Sequence, residues 1–366
     1  MAVSLKVLGI MSGTSIDGID FVKIKIRKKN LKCEYVDMQS FKFPLDLKKR
    51  ILKAAQDEKT TSRVSELNYD LGRFYAECFT KLRKNLKNID LIGLHGQTVF
   101  HKGSSSTLQI GEPSFIAKES KVPVVSNFRA ADIALNGQGA PLAPFFHQVV
   151  FGHSKKTVSL HNLGGISNLS LIVKGKTILG FDTGPANMLI DEEVRRSTAG
   201  KKNYDLNGQM ASRGKVNGAL LMKMLELPYF SIKPPKSCGR EQFGKQFYNQ
   251  FEAELKQLSI EDRLATVTEL TVATVAKSYQ MFCKPYPHEI IFCGGGAKNK
   301  YLIKRLQEEL SSADIKVIEQ LGWPSESIEG AAFALLAACR IWKIPTNIPQ
   351  VTGAKKSVLL GQITQI

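Results

Sequence analysis

The chain has 366 residues, of which 43% are hydrophobic, and a formal net charge of +18. At roughly 100–200 residues per domain that length suggests about two domains. No apolar run approaches the ~18 residues that cross a bilayer, and the opening "MAVSLKVLGIMSG" lacks the charged and apolar regions of a signal peptide, so a cytosolic location and no membrane partner are expected.

The cysteines (Cys33, Cys78, Cys238, Cys283, Cys293 and Cys339) show neither a CxxC pair nor metal-ligand spacing, and read as reduced core thiols. The basic excess sits in "KIRKKN", "DLKKRILK", "KLRKNLKN" and "RRSTAGKK", at strand ends or at helical spacing. These read as solvated faces, with attraction to anionic partners as the alternative. No nucleic-acid motif accompanies them, so no nucleic-acid partner is expected.

In chain order, residues 3–10, 19–27 and 33–43 read as a meander of three strands. Helical spacing follows over 45–57 and 61–87, where Val64, Leu67, Leu71, Phe74, Cys78 and Leu82 fall near one face. "IDLIGLHGQTVF" is a buried strand, and "TLQIG" and "VPVVSNF" are short strands around a helical "PSFIAKES". After the Gly/Pro-rich "LNGQGAPLAP" the plan restarts. "TVSLHNLGGISNLSLIV" repeats strand, glycine turn, strand, and "TILGFDTGPANML" runs from strand into helix. Helices are expected over 212–226 and 240–282. The strand "HEIIFCGGG", a helix, the strand "IKVIE" and the small-residue helix "SIEGAAFALLAACRIW" complete the second copy.

Glycine turns at strand ends are where α/β folds place ligands. "MSGTSIDG", "HGQT", "NLGGISN" and "CGGGAKN" are such turns, and their backbone N–H groups suit a phosphate. The same residues also suit ordinary hairpins. In the first turn Thr14 and Ser15 add hydroxyls, while Asp17 and Asp20 would need a divalent cation, Mg²⁺ by choice, to face a phosphate. No GxxxxGK[ST] and no GxGxxG after a strand is present. Asp182, at a strand end before Thr-Gly-Pro, is placed for a general base or equally for an Asx turn or helix cap. Asn127, Arg129, Asp132, Asn136 and Gln138 could serve a sugar or a polar loop. His147 and His161 read as structural. "PPKSCGRE" is a rigid turn with no role legible in it.

Taken together, "MSGTSIDGID", "GLHGQTVFH", "TLQIGEPS", "DIALNGQGAPLAP", "LGGISNL", "GFDTGPANMLID", "PPKSCGRE", "LTVATVA", "CGGGAKN" and "VTGA" resemble, in this order, the anhydro-N-acetylmuramic acid kinases. The resemblance implies an α/β chain of two duplicated actin/Hsp70-like (ribonuclease H-like) domains with ATP in the cleft between them. One would be 1–150 plus about 335–366, the other 151–334. It also implies phosphorylation of 1,6-anhydro-N-acetylmuramic acid with hydrolysis of its anhydro ring, and a homodimer. On this resemblance Asp182 is the catalytic base. Gly13, Thr14, Ser15, Ile16, Asp17, Gly18, Ile19 and Asp20 form the phosphate loop, with Asp17 the candidate Mg²⁺ ligand. Gly164, Gly165, Gly294 and Gly295 contact nucleotide, and Gln97, Asn127, Arg129 and Glu329 line the substrate pocket. The chain departs from the family pattern at Asn127, Ala186 and Gly330. A kinase of another anhydro sugar, such as levoglucosan, and a non-catalytic nucleotide-binding protein on the same fold are the alternatives.

Overall fold

Strict alternation builds the first strand. β1 (Ser4–Ser12) sends Leu8 and Ile10 to one face and Val7 and Gly9 to the other, and both faces are buried. The structure is a computed structural model describing residues 3–13, 16–152 and 155–366, without the side chains of Arg240 and Glu241. The remaining strands are β2 (Gly18–Arg27), β3 (Lys32–Lys42), β4 (Leu91–Lys102), β5 (Ser106–Ile110), β6 (Val124–Ser126), β7 (Val158–Leu163), β8 (Ile166–Val173), β9 (Lys176–Pro185), β10 (Glu289–Cys293), β11 (Asp314–Val317) and β12 (Gln362–Thr364).

The chain divides into two compact units, Met1–Val150 with Glu326–Ile366, and Phe151–Ser325. In the first, the strand order is β12-β6-β4-β1-β2-β3, with β5 paired to β4. In the second it is β11-β10-β7-β8-β9. Each sheet has an antiparallel meander (β1-β2-β3, β7-β8-β9) extended by two parallel strands from the first strand's other edge (β4 and β6, β10 and β11). This is the actin/Hsp70-like sheet, present twice. The return to the first unit was expected near residue 335 and falls at Glu326 instead. Helix Ser327–Trp342 packs as one piece on β1, β2 and β4, so the crossing precedes it.

Helices Leu45–Ala55, Thr61–Thr80 and Pro113–Ser120 cover the Leu8/Ile10 face of the first sheet through Ile51, Leu67, Leu71, Tyr75 and Ile116. Three helical expectations need correction. The helix expected to reach 87 ends at Thr80, because Arg83 peels off to the sheet edge. Its N–H donates to Gln39 (3.0 Å) and its guanidinium to Asp37 (2.7 Å). The 240–282 stretch is four helices, Arg240–Phe243, Lys245–Gln250, Glu252–Lys256 and Ile260–Phe282, interrupted at Gly244, at Phe251 and at Ser259, whose hydroxyl caps the last (3.1 Å to Asp262 N). In the same way 212–226 reduces to a short turn and helix Gly218–Leu225, capped by Asn217.

Helix Ser327–Trp342 lies unusually close to its sheet. A Cβ on Gly9 would stand 1.8 Å from Gly330 O, one on Gly93 2.3 Å from Phe333 O, and one on Gly330 2.5 Å from Val22 Cγ2. Gly9 pairs with Val22 and Gly93, and Gly93 with Val125, so one row reads Val-Gly-Gly-Val across four strands. The helix sits in that trough. The departure at Gly330 follows from this packing.

Among the described residues no helix is long and apolar enough to cross a membrane, and no disulfide forms; Cys78, Cys283, Cys293 and Cys339 are buried. From the basic stretches, Lys29, Lys49, Lys53, Lys84, Lys201 and Lys202 are exposed. The trough gives a direct test. Gly9→Ala must push the helix off the sheet and should cost at least about 1–3 kcal/mol. A thermal melt or urea titration indistinguishable from the unaltered protein would show that the helix does not need the bare backbone.

Candidate active site

In the first unit the chemistry gathers at the β1–β2 turn. Thr14 and Ser15 lie outside the described residues. Around them, Ile16 N–H donates to Gly13 O (3.2 Å), and buried Ile16, with a left-handed φ of 55°, anchors the turn to the core. Gly18 is required by the neighbouring strand, since a Cβ there would stand 2.2 Å from Phe41 O. Ile19 is core.

Asp17 and Asp20 differ. Asp17, the expected metal ligand, is exposed and paired with Lys48 (2.7 Å). Asp20 accepts from Ser40 Oγ (2.5 Å). Burial raises its pKa, Ser40 opposes the rise, and the charge of Glu326 adds to it.

Gln97 is fully buried beneath this turn. Ser12 Oγ donates to its Oε1, and its Nε2 donates to Gly13 O (3.4 Å) and Thr98 O (3.1 Å). These bonds support the loop. Arg129 donates to Gly139 O (2.8 Å) and to His95 Nε2 (2.8 Å), which leaves His95 Nδ1 to donate to Gly96 O (2.7 Å). Burial and then the Arg129 charge hold His95 well below its usual pKa, so it is neutral. Burial lowers Arg129 to about 10, against the opposing pull of Glu329. Glu329, in the first turn of helix Ser327–Trp342, is crowded by protein yet open to solvent. Its pKa is raised by desolvation and by Asp20, while Arg129 pulls it down. Arg129, Glu329 and Asp20 therefore sense one another, in pairs, around the turn. His95 went unnoticed in the sequence, although it stands in "GLHGQT".

The other polar residues of 127–138 do not converge on one space. Asn127 has φ 53° and donates to Gln362 Oε1 (3.2 Å), a backbone role that suits Asn at this position. Asp132 is fully buried and accepts from Gly139 N, Asn347 Nδ2 and Thr352 Oγ1, each at 2.8 Å. It is a structural staple.

In the second unit three turns meet. Asn187 N–H donates to Gly164 O (3.0 Å), Ala186 and Met188 N–H to Gly165 O (3.0 and 3.1 Å), and Asn187 Nδ2 to Leu163 O (2.9 Å). Gly294 (φ 83°) packs so closely that a Cβ would stand 2.3 Å from Asn162 Oδ1. Cβ atoms on Gly164, Gly165 and Gly295 would meet nothing nearer than 3.3 Å, so backbone there stays approachable.

Asp182 lies in β9, half-buried. Its Oδ2 accepts from Cys238 N–H (2.9 Å), its own N–H donates to Lys236 O (3.2 Å), and its carbonyl accepts from Tyr229 OH (2.7 Å). The "PPKSCGRE" turn thus holds the candidate base, which its sequence did not disclose. Beside Asp182, Thr183 Oγ1 donates to Ser167 Oγ (2.8 Å), and Ser167 contacts His161 Nε2 (2.6 Å). His161 Nδ1 contacts Tyr279 OH (2.9 Å), which reaches Ser159 Oγ (2.8 Å). With Thr183 donating, every proton in this chain runs one way only if His161 is neutral. Burial accordingly lowers it to about 3. His161 is structural, as expected.

The sequence profile of the anhydro-N-acetylmuramic acid kinases matches residues 5–366. The chain belongs to that family. Relatives bearing the family name are 40% identical in Caldanaerobacter subterraneus subsp. tengcongensis (98% of this chain, 96% of the relative), 40% in Crocosphaera subtropica (97% and 98%) and 37% in Haemophilus influenzae (97% and 97%). The chain is therefore a kinase.

The buried imidazole makes stability depend on pH. With a folded pKa below the unfolded value near 6.5, the stability His161 contributes is complete above pH 6.5 and is lost as pH falls toward about 3. Between pH 6.5 and 5 its share should fall by at most about 1.4 kcal/mol per pH unit. His161→Phe should flatten that slope in denaturant titrations at several pH values; an unchanged slope would mean that His161 titrates normally.

Proposed function

We propose that this kinase transfers the γ-phosphoryl group of ATP to O6 of 1,6-anhydro-N-acetylmuramic acid while water opens the anhydro ring, giving N-acetylmuramic acid 6-phosphate. The observation that carries this reading is the setting of Asp182. Lys236 O on its N–H and the Tyr229 hydroxyl on its carbonyl fix its place on β9, and the Cys238 N–H fixes one carboxylate oxygen. A base so held can take a proton from water as that water attacks C1. The C1–O6 bond breaks, O6 attacks the γ-phosphorus, and ADP leaves, so the proton, the electron pair and the phosphoryl group are all accounted for.

The Gly13–Asp20 turn, supported by Gln97, is the candidate phosphate loop; Gly164, Gly165 and Gly295 offer open backbone to nucleotide, and Gly294 gives the tight turn that presents it. Oxygen donors at Asp20 suit Mg²⁺ better than Asp17, whose carboxylate Lys48 holds. Bound with the phosphates, the cation would offset charge during transfer. Arg129 Nε is buried without a protein partner among the described residues, and is the donor available to a sugar oxygen.

Purified protein with ATP, Mg²⁺ and the anhydro sugar should yield ring-opened 6-phosphate; a ring-closed phosphate would refute the coupled hydrolysis. Preference for levoglucosan in a sugar panel would redirect the substrate assignment. Asp182→Asn should lower kcat about 100-fold or more while ATP still binds, and full turnover would remove Asp182 from the chemistry. Gln97→Leu, which deletes the loop's support, should raise the KM for ATP roughly tenfold. A change confined to the sugar KM would return Gln97 to the substrate pocket.

A further inference from the structure

The Pro234–Cys238 segment has no helix or strand to hold it, yet it supplies both the carbonyl that receives Asp182 N–H and the N–H that grips Asp182 Oδ2. A cation helps to fasten it. Lys236 Nζ stands 4.6 Å from the ring centre of Tyr229, 5.0 Å from that of Phe282 and 5.6 Å from that of Phe181, and donates to Tyr229 O (3.0 Å). An ammonium over aromatic faces is drawn to their negative quadrupoles. The cage is also tied to the base itself. Phe181 precedes Asp182 in β9, and Tyr229 is the residue whose hydroxyl bonds Asp182 O.

We propose that Lys236 is a positioning residue for Asp182: its caged ammonium pins the Pro234–Cys238 segment so that the Cys238 N–H sets the orientation of the Asp182 carboxylate. The inference rests on the reading of Asp182 as the base. Lys236 touches none of the reacting atoms and acts through the segment. Among the described residues, the charged and titratable groups around it are Asp182 on β9, Tyr229 in the turn Pro228–Ser231, Cys238 on the segment itself and Lys277 on helix Ile260–Phe282. Burial lowers its pKa to about 8, with Lys277 adding to the fall and Cys238 and Asp182 opposing it. The cage therefore loses its charge as pH rises through about 8, and the segment loosens. An arginine there would stay charged.

The test compares pH profiles of kcat for the full-length protein, Lys236→Met, Lys236→Arg and Asp182→Asn, with melting curves to confirm folding. Lys236→Met should lose up to about 100-fold in kcat with little change in the KM for ATP. Its acid limb should move to higher pH, because a carboxylate that loses an N–H partner binds its proton more tightly. Lys236→Arg should keep most of the turnover and extend the alkaline limb beyond that of the unaltered enzyme. If Lys236→Met is folded but retains both kcat and acid limb while Asp182→Asn is inactive, the positioning role is overturned and the base assignment stands. A lowered kcat with an unmoved acid limb overturns it too, since a merely structural residue would do that. Should Lys236→Met not fold, an alkaline limb in Lys236→Arg no different from that of the unaltered enzyme is the overturning result. An active Asp182→Asn instead overturns the reading beneath the proposal.

Discussion

The first unit depends on a contact between bare backbones. Gly9 and Gly93, paired across adjacent parallel strands and flanked by Val22 and Val125, form a trough into which helix Ser327–Trp342 settles at Gly330 and Phe333. Side chains in either position would lift the helix by the thickness of a methyl group or more. The helix is apolar almost all round, with Ser327, Ile328 and Gly330 to Cys339 buried, as a fully enclosed helix should be. Its depth fixes where its first turn lies, and that turn carries Glu329. The electrostatics linking Glu329, Arg129 and Asp20 follow from helix–sheet packing one turn away.

The second unit repeats the sheet but fills the space near its candidate base differently. Helix Ile260–Phe282 covers one face of it through Val272, Val275 and Tyr279. Into that face is set a polar chain from Thr183 through Ser167 and His161 to Tyr279 and Ser159. A fully satisfied buried network of this kind rigidifies its surroundings. It begins one residue after Asp182 on the inward side, while Lys236 and its aromatic cage hold the same strand through the Pro234–Cys238 segment. The strand bearing the candidate base is thus restrained from two independent directions.

Much of this was legible in the sequence, and the gaps have physical causes. Strand and hairpin order carried the duplicated sheet, because alternation and glycine turns are local signals. The late helix read correctly from Ser327 to Trp342, since its small and apolar residues run unbroken. The helix end at Thr80 did not, because Arg83's partners Asp37 and Gln39 lie far away in sequence, whereas the break at Ser259 is set by a local cap that the apolar spacing masked. Within the site, Asp182 stood out as the carboxylate before Thr-Gly-Pro, although the strand expected to end there runs on to Pro185. Lys236, Tyr229 and Cys238 could not, since only the fold brings residues about fifty positions away onto the backbone and carboxylate of one aspartate. Gln97, Asn127 and Asp132 were noticed as polar residues in glycine-rich loops. Their partners are other parts of the protein, backbone and side chains, which composition cannot distinguish from a ligand.

The staple at Asp132 has a consequence for how the chain assembles. Asn347 and Thr352 bind that carboxylate, and β12 closes the sheet against β6, so segment 326–366 supplies a helix, two side-chain anchors and an edge strand to a unit whose other elements are made far earlier. During synthesis on the ribosome, the second unit emerges whole while the first still lacks its cover. The inserted unit is then free to become native first, while the glycine trough of the nascent first unit stays uncovered until the final residues are translated.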